Sequence, residues 1–123
     1  MTEKAARQQA WRFGHMGETV SAWMLRSKGY RVVMRRFKTP VGEIDLICRR
    51  GNLLVFVEVK ARRRQHVNDQ LLSGAQRRRI SRAALVFLQR YPAFANHDIR
   101  FDMVVICPWT YPRHLEGAWC TES

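Results

Sequence analysis

Asp45, Glu58 and Lys60 are the residues of this 123-residue chain whose types and spacing could do chemistry together. Asp45 lies in Gly42-Glu43-Ile44-Asp45-Leu46-Ile47, and the other two in Val55-Phe56-Val57-Glu58-Val59-Lys60. Two carboxylates held close together suit a hard divalent cation such as Mg²⁺ or Mn²⁺. Such a cation polarises a phosphoryl group and lowers the pKa of a bound water. A neighbouring lysine would orient or help deprotonate that water, or stabilise charge developing on phosphorus. An architectural reading stands beside this one, in which Lys60 and a nearby arginine neutralise a cluster that holds no ligand. An Asp followed by Glu-x-Lys is a common chance pattern. The weight therefore falls on whether the fold brings the three together.

Their positioning rests on one hairpin. Gly51-Asn52 suits a two-residue turn, and that register sets Asp45 directly opposite Glu58, with Lys60 on the same face by the strand's period of two. With Arg50-Gly51 as the turn the carboxylates become diagonal neighbours. A three-residue loop would separate them onto opposite faces. The strand Leu53 to Lys60 is apolar on both faces and reads as central, covered from both sides. Its charged end needs something positive, because opposed like charges and buried carboxylates are both costly.

The remaining elements frame that hairpin. Arg12 to Lys28 reads as a helix with Val20, Trp23, Met24 and Ser27 on one face and Gly29 as its left-handed cap. Tyr30 to Lys38 is strand-like with imperfect alternation, and Thr39-Pro40-Val41-Gly42 is a turn into the strand Glu43 to Arg49. Arg62 to Leu72 is polar and irregular, a loop. A second helix starts at Ser73 with Gln76 as its capping-box partner and carries Ile80, Ala83, Ala84, Phe87 and Leu88 on one face, ending near Arg90-Tyr91-Pro92. Ile99 to Ile106 is a fourth strand, and Pro108 and Pro112 break up the tail. The order is α-β-β-β-α-β, an α/β class: a mixed sheet of an antiparallel meander plus one parallel strand, flanked by helices, in a single domain over residues 1–123.

Composition narrows the function classes. Lys and Arg number 22 against 10 Asp and Glu, a formal charge of +12, with hydrophobic residues at 46%. That is enough apolar material for one core, and it excludes a disordered basic tail. The longest apolar run, Leu53 to Val57, is far short of a membrane span, and Met1 to Ala10 lacks the apolar core of a signal peptide. Cys48, Cys107 and Cys120 are odd in number and far apart, and the four histidines are scattered, so neither a disulfide framework nor a zinc site is indicated. The expectation is a cytoplasmic protein with no membrane contact. A surplus of positive charge points to a polyanion, with nucleic acid ahead of an acidic protein partner. Arg62-Arg63-Arg64 and Arg77-Arg78-Arg79, with Arg82, flank the carboxylates and would track a phosphate backbone. The plainer reading of these arginines is a solvated helix face.

The two central motifs closely resemble the YraN-like family of bacterial proteins. Gly14-His15-Met16-Gly17-Glu18, Gly29-Tyr30 and Arg100-Phe101-Asp102 extend the resemblance from about Gly14 to Trp119. That family is similar to the PD-(D/E)xK nuclease superfamily, whose restriction-endonuclease-like fold is shared with archaeal Holliday-junction resolvases. The resemblance implies an α-β-β-β-α-β core, Asp45 and Glu58 as ligands of Mg²⁺ or Mn²⁺, and Lys60 as the catalytic lysine. It sets Glu18 as an additional helix carboxylate at the metal, against a plain reading as a solvated residue near a helix start. Glu43 fits a strand-edge residue paired to arginine better than a third ligand, and Gln76 either lines the site or only caps its helix. Where the family tends to place lysine on the second helix, this chain has Arg77-Arg78-Arg79. Asp102 is most simply a salt-bridge partner of Arg100 or another base. The function implied is a metal-dependent nuclease hydrolysing phosphodiester bonds in DNA, branched or recombination intermediates included. A non-catalytic nucleic-acid-binding module on the same fold is the second reading, and an adaptor for an acidic partner the third. Resolvases act as dimers on two-fold substrates, so the resemblance is compatible with a homodimer.

Overall fold

The chain alternates between long apolar strands and two amphipathic helices, and the computed structural model describes residues 2–62 and 72–120 of it. In order these are α1 (Glu3–Ser27), β1 (Arg31–Thr39), β2 (Gly42–Arg50), β3 (Leu53–Ala61), α2 (Gly74–Arg90), a short 3-10 turn at Pro92–Phe94, β4 (Asp98–Ile106) and β5 (Arg113–Trp119). The strands form one sheet in the order β1-β2-β3-β4-β5, antiparallel throughout except for the parallel pair β3–β4. A parallel neighbour needs a crossover, and α2 supplies it between β3 and β4.

β3 is central, as its two-sided apolar pattern predicts. On one face Leu54 and Phe56 pack with Ile80, Ala83, Ala84 and Phe87 of α2. On the other, Val55 and Val57 pack with Ala22, Met24 and Leu25 of α1. Phe87 meets the edges of Phe37 and Phe56 with ring centroids 5.5 and 5.9 Å apart, the edge-to-face arrangement aromatic quadrupoles favour.

Three sequence expectations change. α1 starts at Glu3, well before Arg12, capped by the Thr2 hydroxyl, which accepts from the Ala5 N–H. Its buried face is also rotated from the expected one: Gly17, Ser21, Ala22, Met24 and Leu25 are buried, while Trp23 is 67% exposed. Small residues let the helix lie close to the sheet, and the bulky Trp23 is left outside that contact. The tail after Pro112 is not irregular but forms β5. Gly29 caps α1 as expected, at φ +91°: the Tyr30 N–H bonds the Leu25 carbonyl and the Gly29 N–H bonds that of Arg26. The capping box of Ser73 and Gln76 is present too. Within the expected loop Arg62 to Leu72, residues 63–71 lie outside the described residues.

Gly42 closes the β1–β2 turn, where the Thr39 hydroxyl accepts from the Val41 and Gly42 N–H groups at 3.2 and 3.0 Å. α2 passes so close that a Cβ at Gly42 would collide with the backbone carbonyl of Arg79. Gly42→Ala is therefore expected to lower stability by about 1–3 kcal/mol, the usual cost of overpacking. Denaturant unfolding measures it, and a variant as stable as wild type would mean that α2 yields freely there.

Candidate active site

The β2–β3 hairpin turns at Gly51-Asn52, and its paired register runs from Arg50↔Leu53 to Leu46↔Val57. It stops one step short of Asp45 and Glu58. There one carboxylate oxygen of Asp45 accepts the Val59 N–H at 2.8 Å, so the side chain occupies the place of the next backbone acceptor. The strands part at this point, and the charged end of β3 projects beyond the paired region.

A second irregularity aims Asp45. The rungs Arg35↔Leu46 and Phe37↔Ile44 leave Arg36 across from Asp45. Leu46 packs on the α1 side of the sheet, yet Ile44 packs on the α2 side, although the two share parity. On β1, the Arg35 guanidinium reaches Thr19 of α1, while Phe37 faces α2. Both strands thus change faces at the Arg36–Asp45 step, which the left-handed backbone of Arg36, at φ +54°, makes feasible. Asp45 sits at the switch, where Glu18 of α1 and Glu58 of β3 act on it.

The Asp45 and Glu58 carboxyl groups lie within hydrogen-bonding reach of each other, and Lys60 Nζ lies 3.6 Å from the Glu58 carboxylate. The Glu58 and Lys60 side chains are each only 16% exposed. Burial, then the charge of Asp45, push Glu58 up to about 8, despite the opposing effect of Lys60. Burial raises Asp45 as well, partly offset by the Val59 N–H, with the charges of Glu18 and Glu43 adding to the rise. At neutral pH and without metal, Glu58 therefore holds a proton that it donates to Asp45. Because folded Glu58 keeps that proton up to about 8 whereas a free glutamate releases it near 4.5, the folded state binds more protons across that window. Metal-free stability is expected to fall as pH rises from about 4.5 to 8, by at most about 1.4 kcal/mol per unit for this one group. Glu58→Gln should flatten the slope, measured by denaturant unfolding at several pH values. An unchanged slope would place the titrating group elsewhere.

The other expected site residues divide. Glu18 comes from α1, close enough for its charge to act on Asp45, and its Oε1 accepts from Arg36 Nε at 2.9 Å. With its side chain 14% exposed, it is not the solvated residue of the plainer reading. A cleft of about 390 Å³ opens on the α2 side, lined by Glu43, Glu58, Gln76 and Arg79 with the Thr39–Gly42 turn. Gln76 both caps its helix and lines the cleft, its Oε1 accepting the Ser73 N–H at 3.1 Å. Glu43 is exposed, across from Lys38 on β1. Arg79 lies on the cleft wall, whereas Arg77 and Arg78 are exposed on α2 outside the lining. Arg62 is half-buried, its N–H bonded to the Ile106 carbonyl at 2.8 Å, and Arg63 and Arg64 lie outside the described residues. Nothing in the sequence pattern flags Arg36; only the paired geometry does.

Asp102 takes no part in this cluster. It is fully buried, receives Arg100 through two 2.7 Å bonds, and meets His114 Nε2 at 2.7 Å and the Gly117 N–H at 3.0 Å. Burial would raise its pKa, but the bonds from His114 and Arg100 outweigh that and hold it below the usual carboxylate value. The second nitrogen of His114 meets Lys28 Nζ at 2.9 Å, and Arg100 also donates to the Tyr30 hydroxyl at 2.6 Å. With Arg100 and a second base as its partners, Asp102 fills the salt-bridge role expected for it.

Among the described residues no group of three or more His, Cys, Asp and Glu side chains is gathered as a ready ligand set. A carboxylate pair nonetheless fits Mg²⁺, which keeps several waters and is usually held by one or two carboxylates plus substrate phosphate. Each carboxylate raises the proton affinity of the other, and a cation held between Asp45 and Glu58 would relieve that repulsion.

Comparison with known proteins identifies the family and the fold. Residues 17–106 match the family described as uncharacterised protein family UPF0102. A UPF0102 protein of Parvibaculum lavamentivorans is 54% identical over 110 residues, covering 89% of this chain and 83% of that one. One from Mesorhizobium japonicum is 48% identical over 115 residues, covering 94% and 92%. Among solved structures, Archaeoglobus fulgidus Hjc, a Holliday junction resolvase, superposes with a TM-score of 0.53 at 15% identity, covering 80% of this chain and 72% of that one. At that identity the likeness is one of fold: the α-β-β-β-α-β core that the order of elements gives and the family resemblance implies.

Proposed function

The chain belongs to the UPF0102 family, the YraN-like proteins, and from that premise we propose that it is a divalent-metal-dependent nuclease hydrolysing phosphodiester bonds in DNA, branched intermediates included. The observation that carries the proposal is the convergence of the Asp45 and Glu58 carboxyl groups beside Lys60, at the point where β2 and β3 part and the cleft opens. The likeness to a resolvase fold supports the choice of DNA.

Asp45 and Glu58, with Glu18 presented from α1, would hold Mg²⁺ or Mn²⁺, which when bound supplies a Lewis acid for phosphoryl oxygen and a more acidic water. The chain's own groups do the rest. Val59 N–H fixes the Asp45 carboxylate, and Arg36 fixes Glu18 from across the hairpin. Lys60, held near Glu58, donates a hydrogen bond to the attacking water or to a non-bridging phosphate oxygen, where negative charge grows as phosphorus becomes five-coordinate. Arg79 on the cleft wall can take the neighbouring phosphate as a charge-assisted, bidentate contact.

A cleavage assay on linear, flapped and four-way DNA with Mg²⁺ or Mn²⁺ tests the reading. Cutting of at least one substrate that stops on adding EDTA is expected. Binding with no cutting of any substrate would leave a nucleic-acid-binding module in its place.

A further inference from the structure

β3 and β4 are parallel, so the segment after β4 emerges at the same end of the sheet as Lys60: Lys60 pairs with Val105 and Ala61 with Ile106. Here the chain does something its hydrophobic residues should avoid. Trp109 is 103% exposed and Tyr111 84%, the two most exposed large apolar side chains among the described residues. Trp109 also has φ +64°, a left-handed conformation that non-glycine residues rarely adopt. The turn is closed by Thr110, whose N–H and hydroxyl both bond the Cys107 carbonyl, at 3.4 and 3.1 Å. Pro108 and Pro112 fix φ on either side. The loop is thus built to hold two aromatic rings outward, which calls for an account in terms of a ligand.

We propose that Trp109 and Tyr111 form a stacking platform for unpaired bases of the DNA strand entering or leaving the cleft. This rests on the nuclease reading and narrows its substrates to DNA with unpaired bases beside the cut. Charge favours this occupant. From Cys107 to Leu115 there is no acidic residue, Arg113 follows directly, and Lys60 and Arg62 lie on the neighbouring strand end. Reach agrees as well. Trp109 is four residues beyond the rung of Lys60, at most roughly 14 Å along the chain, or about four nucleotides of stacked strand. Paired bases have both faces covered by their neighbours, so only unpaired ones offer a face to an aromatic ring.

The test uses the full chain carrying Asp45→Asn, without metal, and three fluorescent DNA probes: oligothymidylate, an abasic strand of equal length and a hairpin duplex. Adding Trp109→Ala and Tyr111→Ala is expected to weaken oligothymidylate binding about 5- to 150-fold, as loss of one stacked base does. Abasic and duplex affinities should change less than about 2-fold, and Trp109→Phe with Tyr111 intact should retain most of the affinity. Equal losses on all three probes, no loss on oligothymidylate, or a wild type that binds none of them would overturn the platform. So would a change confined to self-association or to binding of anionic vesicles. The two readings fail separately. Base-dependent binding without cleavage of any DNA sinks the nuclease and leaves the platform, and cleavage with unchanged binding in the Ala variants does the reverse.

Discussion

Replacing Glu58 by Gln is expected to lower metal-dependent cleavage at least about 100-fold, the scale on which charge-stabilising groups act in transition states. DNA affinity measured without metal should stay level at neutral pH, where Glu58 already holds its proton, and should rise only above about pH 8, where the substitution removes a negative charge. The contrast matters: a variant that loses cleavage and binding together has lost its structure. Lys60→Ala should behave differently. It leaves both carboxylates in place, so Mn²⁺ should still raise the unfolding midpoint, by an amount that grows as RT ln(1 + [L]/Kd), while turnover slows. Asp45→Ala should abolish most of that midpoint shift. If wild type and Asp45→Ala respond to Mn²⁺ alike, the cluster is architectural.

The largest stability effect is expected at Asp102, not in the cleft. Asp102→Asn keeps the shape but withdraws the charge that Arg100 and His114 converge on. Breaking a buried pair from one side costs about 3–5 kcal/mol, because the partner charge is left uncompensated. Urea unfolding should show that loss, and amide exchange should speed up first in Arg113–Trp119, which Asp102 ties down through His114 and Gly117. A loss under about 1 kcal/mol would mean that strand pairing alone holds β5.

What the sequence displayed was local. Gly51-Asn52 set the hairpin register, the double-sided apolar run of β3 marked it as central, and Ser73 with Gln76 announced α2, because each depends on neighbours within a few residues. The features that escaped notice depend on distant ones. The face α1 buries is chosen by how closely Gly17 and Ser21 let it approach β3 and β4. Arg36 looks like any strand arginine until Asp45 is set across from it, and only the folded hairpin does that. The segment Arg-His-Leu-Glu-Gly-Ala-Trp alternates poorly, and it is a strand because β4 offers it an edge and Asp102 an anchor.

β5 also lies beyond residues 17–106, the part of the chain that matches the family. It covers β4, a nine-residue strand whose last six residues are all buried. Uncovered, that strand would present a long, apolar row of free N–H and C=O groups, the kind of edge on which other chains add strands and aggregate. Asp102 therefore guards the protein against its own copies. The solution lifetime of this protein in concentrated form should be governed by how often one buried carboxylate lets go of His114 and Gly117.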